Sequence, residues 1–270
     1  MNKISFLLLS AFVFCAVACT SNKAKINNDL KKYFDSAQVD GAFTLLNNQA
    51  GNITVYNMKL DTQRVLPGSG FDIVNSLIGV QTGKITDENM VIKWDGVVRD
   101  VPGNNKDLTM KEAFRNSSVG YFQEIARQIG KDTMQHWVDS IQYGNKDLSG
   151  AVDSFWFNNH LKISPDEQLG LMSKLYFDQL PFQKYAQQMV RDAMAMEDNT
   201  LYKLSYKTGY GFDEKNNEIG WVMGWIEENR HVYFFVTLVK SPGKDIDMKT
   251  VGVNITRGIL KELGFFKGQM

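Results

Sequence analysis

Strand-forming runs at both ends of the chain enclose a long helical middle, and this arrangement constrains the fold more than any other feature of the sequence. Gly41 to Leu46 and Asn52 to Met58 are β-rich, and the intervening Asn47-Asn48-Gln49-Ala50-Gly51 has the composition of a hairpin loop. Strand character returns at Leu204 to Thr208, Ile219 to Ile226 and Val232 to Val239, the last two joined by a tight connection, Glu227 to His231. Between the two groups, Gly68 to about Met196 reads as predominantly helical. Two strands from the start and three from the end imply an antiparallel sheet built from both termini, with helices on its faces and a helical insertion. The expected class is α/β of the α+β type.

Helix boundaries carry explicit signals. Asn28 to Ala37 gives a short amphipathic helix with Leu30, Tyr33 and Phe34 as its buried stripe. Thr109 with Glu112 reads as a capping box, and Ser164, Pro165 and Glu167 as another, with proline where its missing N–H costs nothing. Lys249 to Leu263 should form the last helix and stop at Gly264. At 270 residues and 43% hydrophobic composition the chain can bury a sizeable core. Its 30 basic and 30 acidic residues cancel, and no run of like charge marks a polybasic arm, so a nucleic-acid role has no support. Nothing in the sequence specifies an oligomeric state.

The N-terminus indicates a compartment. Lys3 precedes an apolar stretch, Ile4 to Val17, too short for a comfortable membrane span and ending in small residues, as signal peptides do. Residues 1–18 are expected to be removed. Ala16-Val17-Ala18-Cys19 resembles a bacterial lipobox with alanine where leucine is favoured; Cys19 would then be lipidated, residues 19–28 would form a polar tether, and residues 29–270 the folded domain. The protein would be exported, periplasmic and held at the membrane by the lipid alone. An ordinary secretory signal cut nearby is the alternative. Both cysteines, Cys15 and Cys19, lie in this segment, so the folded domain has no disulfide, catalytic cysteine or cysteine–zinc site. His136, His160 and His231 lack ligand spacing, so neither a metal nor any other cofactor is expected.

Short motifs carry the chemistry. Ser69-Gly70-Phe71-Asp72 has the spacing of S-x-x-K, in which a lysine one helical turn on deprotonates the serine, but with aspartate in the lysine position. Downstream come Lys93-Trp94-Asp95-Gly96, Ser117-Ser118-Val119, Tyr143-Gly144-Asn145, Phe155-Trp156 with Leu161-Lys162-Ile163-Ser164, Lys207-Thr208-Gly209 and Gly220-Trp221-Val222-Met223-Gly224-Trp225. Together with Pro67 to Gly79, this ordered set resembles the class D, oxacillinase-type, β-lactamases from about residue 30 to 265.

The resemblance implies a β-lactamase/transpeptidase-like, penicillin-recognising fold and a serine hydrolase that takes a β-lactam or a peptidoglycan-peptide-like small molecule. Ser69 would be the nucleophile at a helix N-terminus, and the backbone N–H groups of Ser69 and Tyr210 would form the oxyanion hole. Ser117 would relay a proton, with Val119 completing its motif. Lys207, Thr208 and Gly209 would face the substrate carboxylate, and Trp156 would donate its indole N–H to the base. In the family that base is a carbamylated lysine. Asp72 offers the same oxygens on a shorter arm, and general-base catalysis, worth about 10²–10⁴-fold, requires hydrogen-bond reach. The family's carboxylate-binding arginine aligns with Gly252, leaving Lys249 and Arg257 as nearby substitutes.

Each residue also has a structural reading. Ser69 could cap a helix, Ser117 sit in a turn, Trp156 fill the core, Tyr143 to Asn145 form a turn, and Asp72 pair with Lys207 across Ser117. The expectation is therefore a β-lactam-binding cleft with weak or absent hydrolysis. A penicillin or stem-peptide sensor without turnover and a scaffold-only envelope protein are the alternatives.

Overall fold

Lys23–Ile26 (β1), Asp40–Asn47 (β2) and Asn52–Tyr56 (β3) supply one edge of the main sheet. Val91–Ile92 (β4) and Leu108–Thr109 (β5) form a separate small ribbon. Ala195–Asp198 (β6), Tyr202–Phe212 (β7), Glu218–Glu228 (β8) and His231–Ser241 (β9) complete the main sheet in the order β1-β3-β2-β9-β8-β7-β6. This computed structural model describes residues 23–241, 243 and 246–268; the expected signal peptide and Cys19 lie outside the described residues. Every pairing is antiparallel except β1 with β3. The join between the two ends of the chain is β2 on β9, in register from Asp40↔Lys240 to Asn47↔Tyr233.

The central strands are apolar on both faces, which forces two covering layers. Trp221, Met223 and Trp225 of β8 pack with Phe234, Val236 and Leu238 of β9 in one core; Val222 and Ile226 pack with Tyr233, Phe235 and Val239 in the other. The second core is closed by Lys31–Ser36 (α1) and, at the end of the chain, Met248–Glu262. The first is closed by the insertion: Met58–Asp61 (α2), Asp72–Gln81 (α3), Met110–Asn116 (α4), Val119–Ile129 (α5), Lys131–Ser140 (α6), Pro165–Tyr176 (α7) and Lys184–Met194 (α8). The terminal helix is α9. Both expected capping boxes form, Thr109 with Glu112 and Ser164 with Glu167.

Three differences from the sequence reading are physical. Lys23–Ile26 lies in the stretch expected as a tether, yet it pairs in parallel with Asn52–Val55. Ala195–Asp198 adds an edge strand whose charged residues gave no alternation to read. The helical middle also holds the β4–β5 ribbon. The tight connection is two residues, Asn229 and Arg230, both at positive φ (53° and 66°), the geometry that suits the twist of a hairpin.

Asp61, 3% exposed at the end of α2, leaves Oδ1 without a hydrogen-bond partner. Burial, with Asp166 nearby, pushes its carboxyl up to about 7. Because the folded state holds the proton more tightly than the unfolded chain, Asp61's contribution is fully present below its ordinary pKa and is lost as pH rises through about 7. Asp61→Asn should therefore raise the melting temperature at pH 8, by about 2 kcal/mol of stability, with little effect near pH 4. A gap between the two proteins that does not widen with pH rejects this account.

Candidate active site

The chain turns sharply at Pro67. Gly68–Phe71 forms a 3₁₀ turn that runs directly into α3, so Ser69 and Asp72 lie three residues apart on one face of a continuous helical segment. Gly68 sits at φ +50°, and an added Cβ would fall 2.0 Å from the Tyr210 carbonyl oxygen. Only glycine lets the serine turn approach β7 this closely. At Gly70 an added Cβ would lie 2.9 Å from Met223 Cε, so a residue larger than glycine would have to displace that side chain.

Strand β7 contributes the other wall. β6 pairs only with Lys203, Leu204 and Ser205, so the strand from Lys207 onward has no strand partner on its outer edge. The Tyr210 carbonyl lies on that edge against Gly68. In an antiparallel strand a residue's N–H and C=O point the same way, so the Tyr210 N–H also faces the serine turn. This is the geometry the expected oxyanion hole requires.

Ser117 ends α4 in the left-handed region (φ 53°, ψ 52°), a backbone state that costs of order 1–3 kcal/mol for a non-glycine residue and presents its hydroxyl to the cleft. Lys207 Nζ donates to Ser117 Oγ at 2.5 Å and to the Thr208 carbonyl at 2.7 Å. It also lies 5.4 Å from the centroid of the Phe114 ring. Val119, the first residue of α5, is half-buried beside this corner, and Gly209 is buried on the strand.

Asp72 Oδ2 lies 3.1 Å from Lys207 Nζ, with both side chains at most 4% exposed. The approach is an ion pair by distance but too oblique for a hydrogen bond, and Oδ2 has no other partner. Coulomb attraction needs no such alignment, so the pairing holds. Burial drives both groups toward neutrality. It pushes Asp72 up to about 6, with Lys207 opposing, and pulls Lys207 below the ordinary lysine range, with Asp72 opposing. Of the readings open for Asp72, the contact observed is the pairing with Lys207, made directly and not through Ser117, which bonds to the same ammonium.

Trp156 does not make the bond expected of it. Its ring stacks on Phe71 (centroids 5.6 Å apart) and its carbonyl accepts from Gly68 N, but the buried indole Nε1 has no acceptor. A buried indole donor without an acceptor and the Asp72–Lys207 ion pair thus occur in one site without meeting. Ser69 is 5% exposed, and its Oγ makes no hydrogen bond among the described residues.

Lys207 is bound inward to Asp72, Ser117 and Thr208, so its ammonium is not free to meet a ligand carboxylate. Lys249 does line a small cavity with Thr208, Lys207, Phe114 and Arg115. Arg257 is paired with Glu197 and stacked on Phe266, 4.9 Å from the ring centroid. Gly252 faces the sheet, where an added Cβ would lie 3.1 Å from Val222. Of the two substitute cations, only Lys249 is at the site. Tyr143 to Asn145 is structural: Asn145 N donates to the Lys162 carbonyl at 2.9 Å and Asn145 Oδ1 accepts from Lys162 N at 2.8 Å. The sequence reading missed Phe114 beneath Lys207 and Arg115 at the cavity, since neither sits in a motif.

The profile of the penicillin binding protein transpeptidase domain matches residues 21–261. The probable β-lactamase YbxI of Bacillus subtilis is 39% identical over 90% of this chain and 86% of its own length. β-Lactamase OXA-48 of Klebsiella pneumoniae is 35% identical over 96% of this chain and 94% of its own. Among solved structures, the class D β-lactamase YbXI from Nostoc superposes with TM-score 0.83 at 32% identity, covering 88% of this chain and 99% of that one. The C-terminal domain of the Bacillus licheniformis BlaR penicillin-receptor superposes with TM-score 0.86 at 28% identity, covering 91% and 98%. The chain belongs to the penicillin binding protein transpeptidase domain family, in its class D β-lactamase branch.

Proposed function

We propose that this protein binds β-lactams in the Ser69 cleft, acylates slowly and retains the acyl group, so that hydrolysis is weak or lost. One observation carries the reading: the Asp72 carboxylate is paired with Lys207 while the Trp156 indole N–H has no acceptor. In acylation, Ser69 Oγ bonds to the β-lactam carbonyl carbon, the ring C–N bond breaks, and the serine proton must pass to the ring nitrogen. Lys207 as an ammonium cannot accept that proton, although it can relay one through Ser117 Oγ, 2.5 Å away. Deacylation needs a base beside a water at the ester, and Asp72 is held at Lys207 instead.

The likeness to the BlaR penicillin-receptor favours a second reading, in which the retained acyl group is itself the signal. Export and a lipid anchor on Cys19 belong to the same proposal and rest on the N-terminal sequence. One experiment addresses all three points: intact-mass measurement of protein from membranes, before and after incubation with a fluorescent penicillin. The expected spectrum shows a diacylglycerol mass on a chain beginning at Cys19 and a penicillin adduct that persists for hours. Absence of an adduct removes the nucleophile role of Ser69. An adduct that vanishes within a catalytic turnover removes the impaired-base argument.

A further inference from the structure

The chain enters the main sheet at one end, and unpaired positive charge collects there. Lys23, Asn52, Asn47 and Tyr233 lie in one row across β1, β3, β2 and β9, so β1 starts beside the β2–β3 loop and at the same end as the Asn229–Arg230 hairpin. The residues after α9 are pinned to this end too: buried Glu228, the last of β8, accepts from the backbone N–H groups of Phe266 and Lys267, each at 2.9 Å. Lys25, Arg230 and Lys267 are exposed, and none has an acidic partner among the described residues. The neighbouring carboxylates are engaged, Asp198 with Lys203 at 3.0 Å, Glu197 with Arg257 and Glu228 with those backbone groups. Leu201, beside Gly268, and Phe177, in a hollow with Arg230, add apolar surface, 51% and 39% exposed. On a chain whose formal charge sums to zero, this end therefore offers an anionic surface three uncompensated cations.

Because β1 takes up Lys23–Ile26, only residues 20–22 separate Cys19 from the sheet, and that stretch spans at most about 14 Å. A lipid on Cys19 would hold this end, and no other, at the bilayer. We infer that the domain rests on the membrane by this end, with Lys25, Arg230 and Lys267 on anionic phospholipid headgroups and Leu201 at their boundary. The reach depends on the proposed anchor at Cys19; the charge pattern supports the same face independently. Attraction to such a surface fades within a Debye length of about 8–10 Å, so cations at the end itself carry it. An orientation follows. Lys207 stands five residues along β7 from Tyr202, the partner of Glu228, which is about 17 Å from this end, and the β7–β8 turn at Lys215 lies farther still. The Ser69 cleft thus stands clear of the headgroups, open to solutes in water.

The folded domain has no cysteine, so a single engineered one can be labelled specifically. The whole chain, isolated from cells with a bimane on Thr200→Cys or on Lys215→Cys, is mixed into vesicles of phosphatidylcholine and phosphatidylglycerol that contain a headgroup-nitroxide lipid. The Thr200 label should lose most of its emission and the Lys215 label none, since the length of β8 puts roughly 35 Å between the two ends. Changing Lys25, Arg230 and Lys267 together to glutamine should lower the docked-to-free ratio about fivefold per cation and restore emission at Thr200. Leaving out phosphatidylglycerol should do the same. Equal quenching of the two labels, none at either, stronger quenching at Lys215, or quenching at Thr200 that survives the triple change in a folded protein overturns the docking face. Intact mass of the same samples tests the anchor separately. A chain without diacylglycerol whose Thr200 label is still quenched keeps the face and removes the anchor; a diacylglyceryl chain with both labels quenched alike does the reverse.

Discussion

Replacing Asp72 with lysine is expected, on the proposed reading, to speed deacylation by about 10²–10⁴-fold and to make it responsive to bicarbonate. A lysine at this position can add CO₂ to its neutral amine and release a proton, which places a carboxylate at the end of a longer arm. That carboxylate would keep the attraction to Lys207 now supplied by Asp72 at 3.1 Å, and would offer an acceptor to the orphaned Trp156 Nε1. A buried donor that now lacks an acceptor would gain one. The measurement is steady-state hydrolysis of a chromogenic cephalosporin by Asp72→Lys and wild type, with and without added bicarbonate. No gain in Asp72→Lys, or brisk hydrolysis by wild type that Asp72→Asn abolishes, counts against the account.

Lys207→Met should be the most destabilising single change in the cleft. It leaves a buried carboxylate without its cation, a loss of about 3–5 kcal/mol. The penalty should depend on pH with a definite sign. Asp72 already titrates up to about 6 in the folded protein, and without Lys207 it moves higher. Below that value the carboxyl is neutral and the penalty small; as pH rises through it, the charge must be carried in the interior and stability falls. Urea denaturation at pH 5 and pH 8 should show the contrast. Asp72→Asn combined with Lys207→Met should recover much of the loss, since it removes the stranded charge. A Lys207→Met protein as stable as wild type at pH 8 would show that the pair does not hold the cleft together.

What could be read from the sequence follows how far each signal reaches. Capping boxes act over three residues, and both form where Thr109 and Ser164 place them. The apolar runs of β8 and β9 announce strands buried on both faces. By contrast, β1 consists of Lys-Ala-Lys-Ile and β6 of Ala-Met-Glu-Asp, so each is a strand only because a longer one lies beside it. In the cleft, motif order brought Ser69, Ser117, Trp156 and Lys207 into consideration together. Which group satisfies which could not be read that way. The Asp72–Lys207 pair and the empty hand of Trp156 depend on side-chain reach within a packed interior, to ångström tolerances that spacing along a chain does not carry.

The pairing of β2 with β9 has a consequence for how the molecule is made. Asp40–Asn47 pairs on one side with the nearby Asn52–Tyr56, but on its other side with His231–Ser241, so that edge of an early strand waits for one synthesised much later. Contacts this distant along the chain delay the closing step and raise its entropic barrier. A nascent polypeptide halted before β9 holds β1–β3 and β6–β8 as two separate ribbons, without the strand that joins them into one sheet. Closure of the main sheet therefore follows the synthesis of β9, and the cleft that the sheet supports is complete only after it.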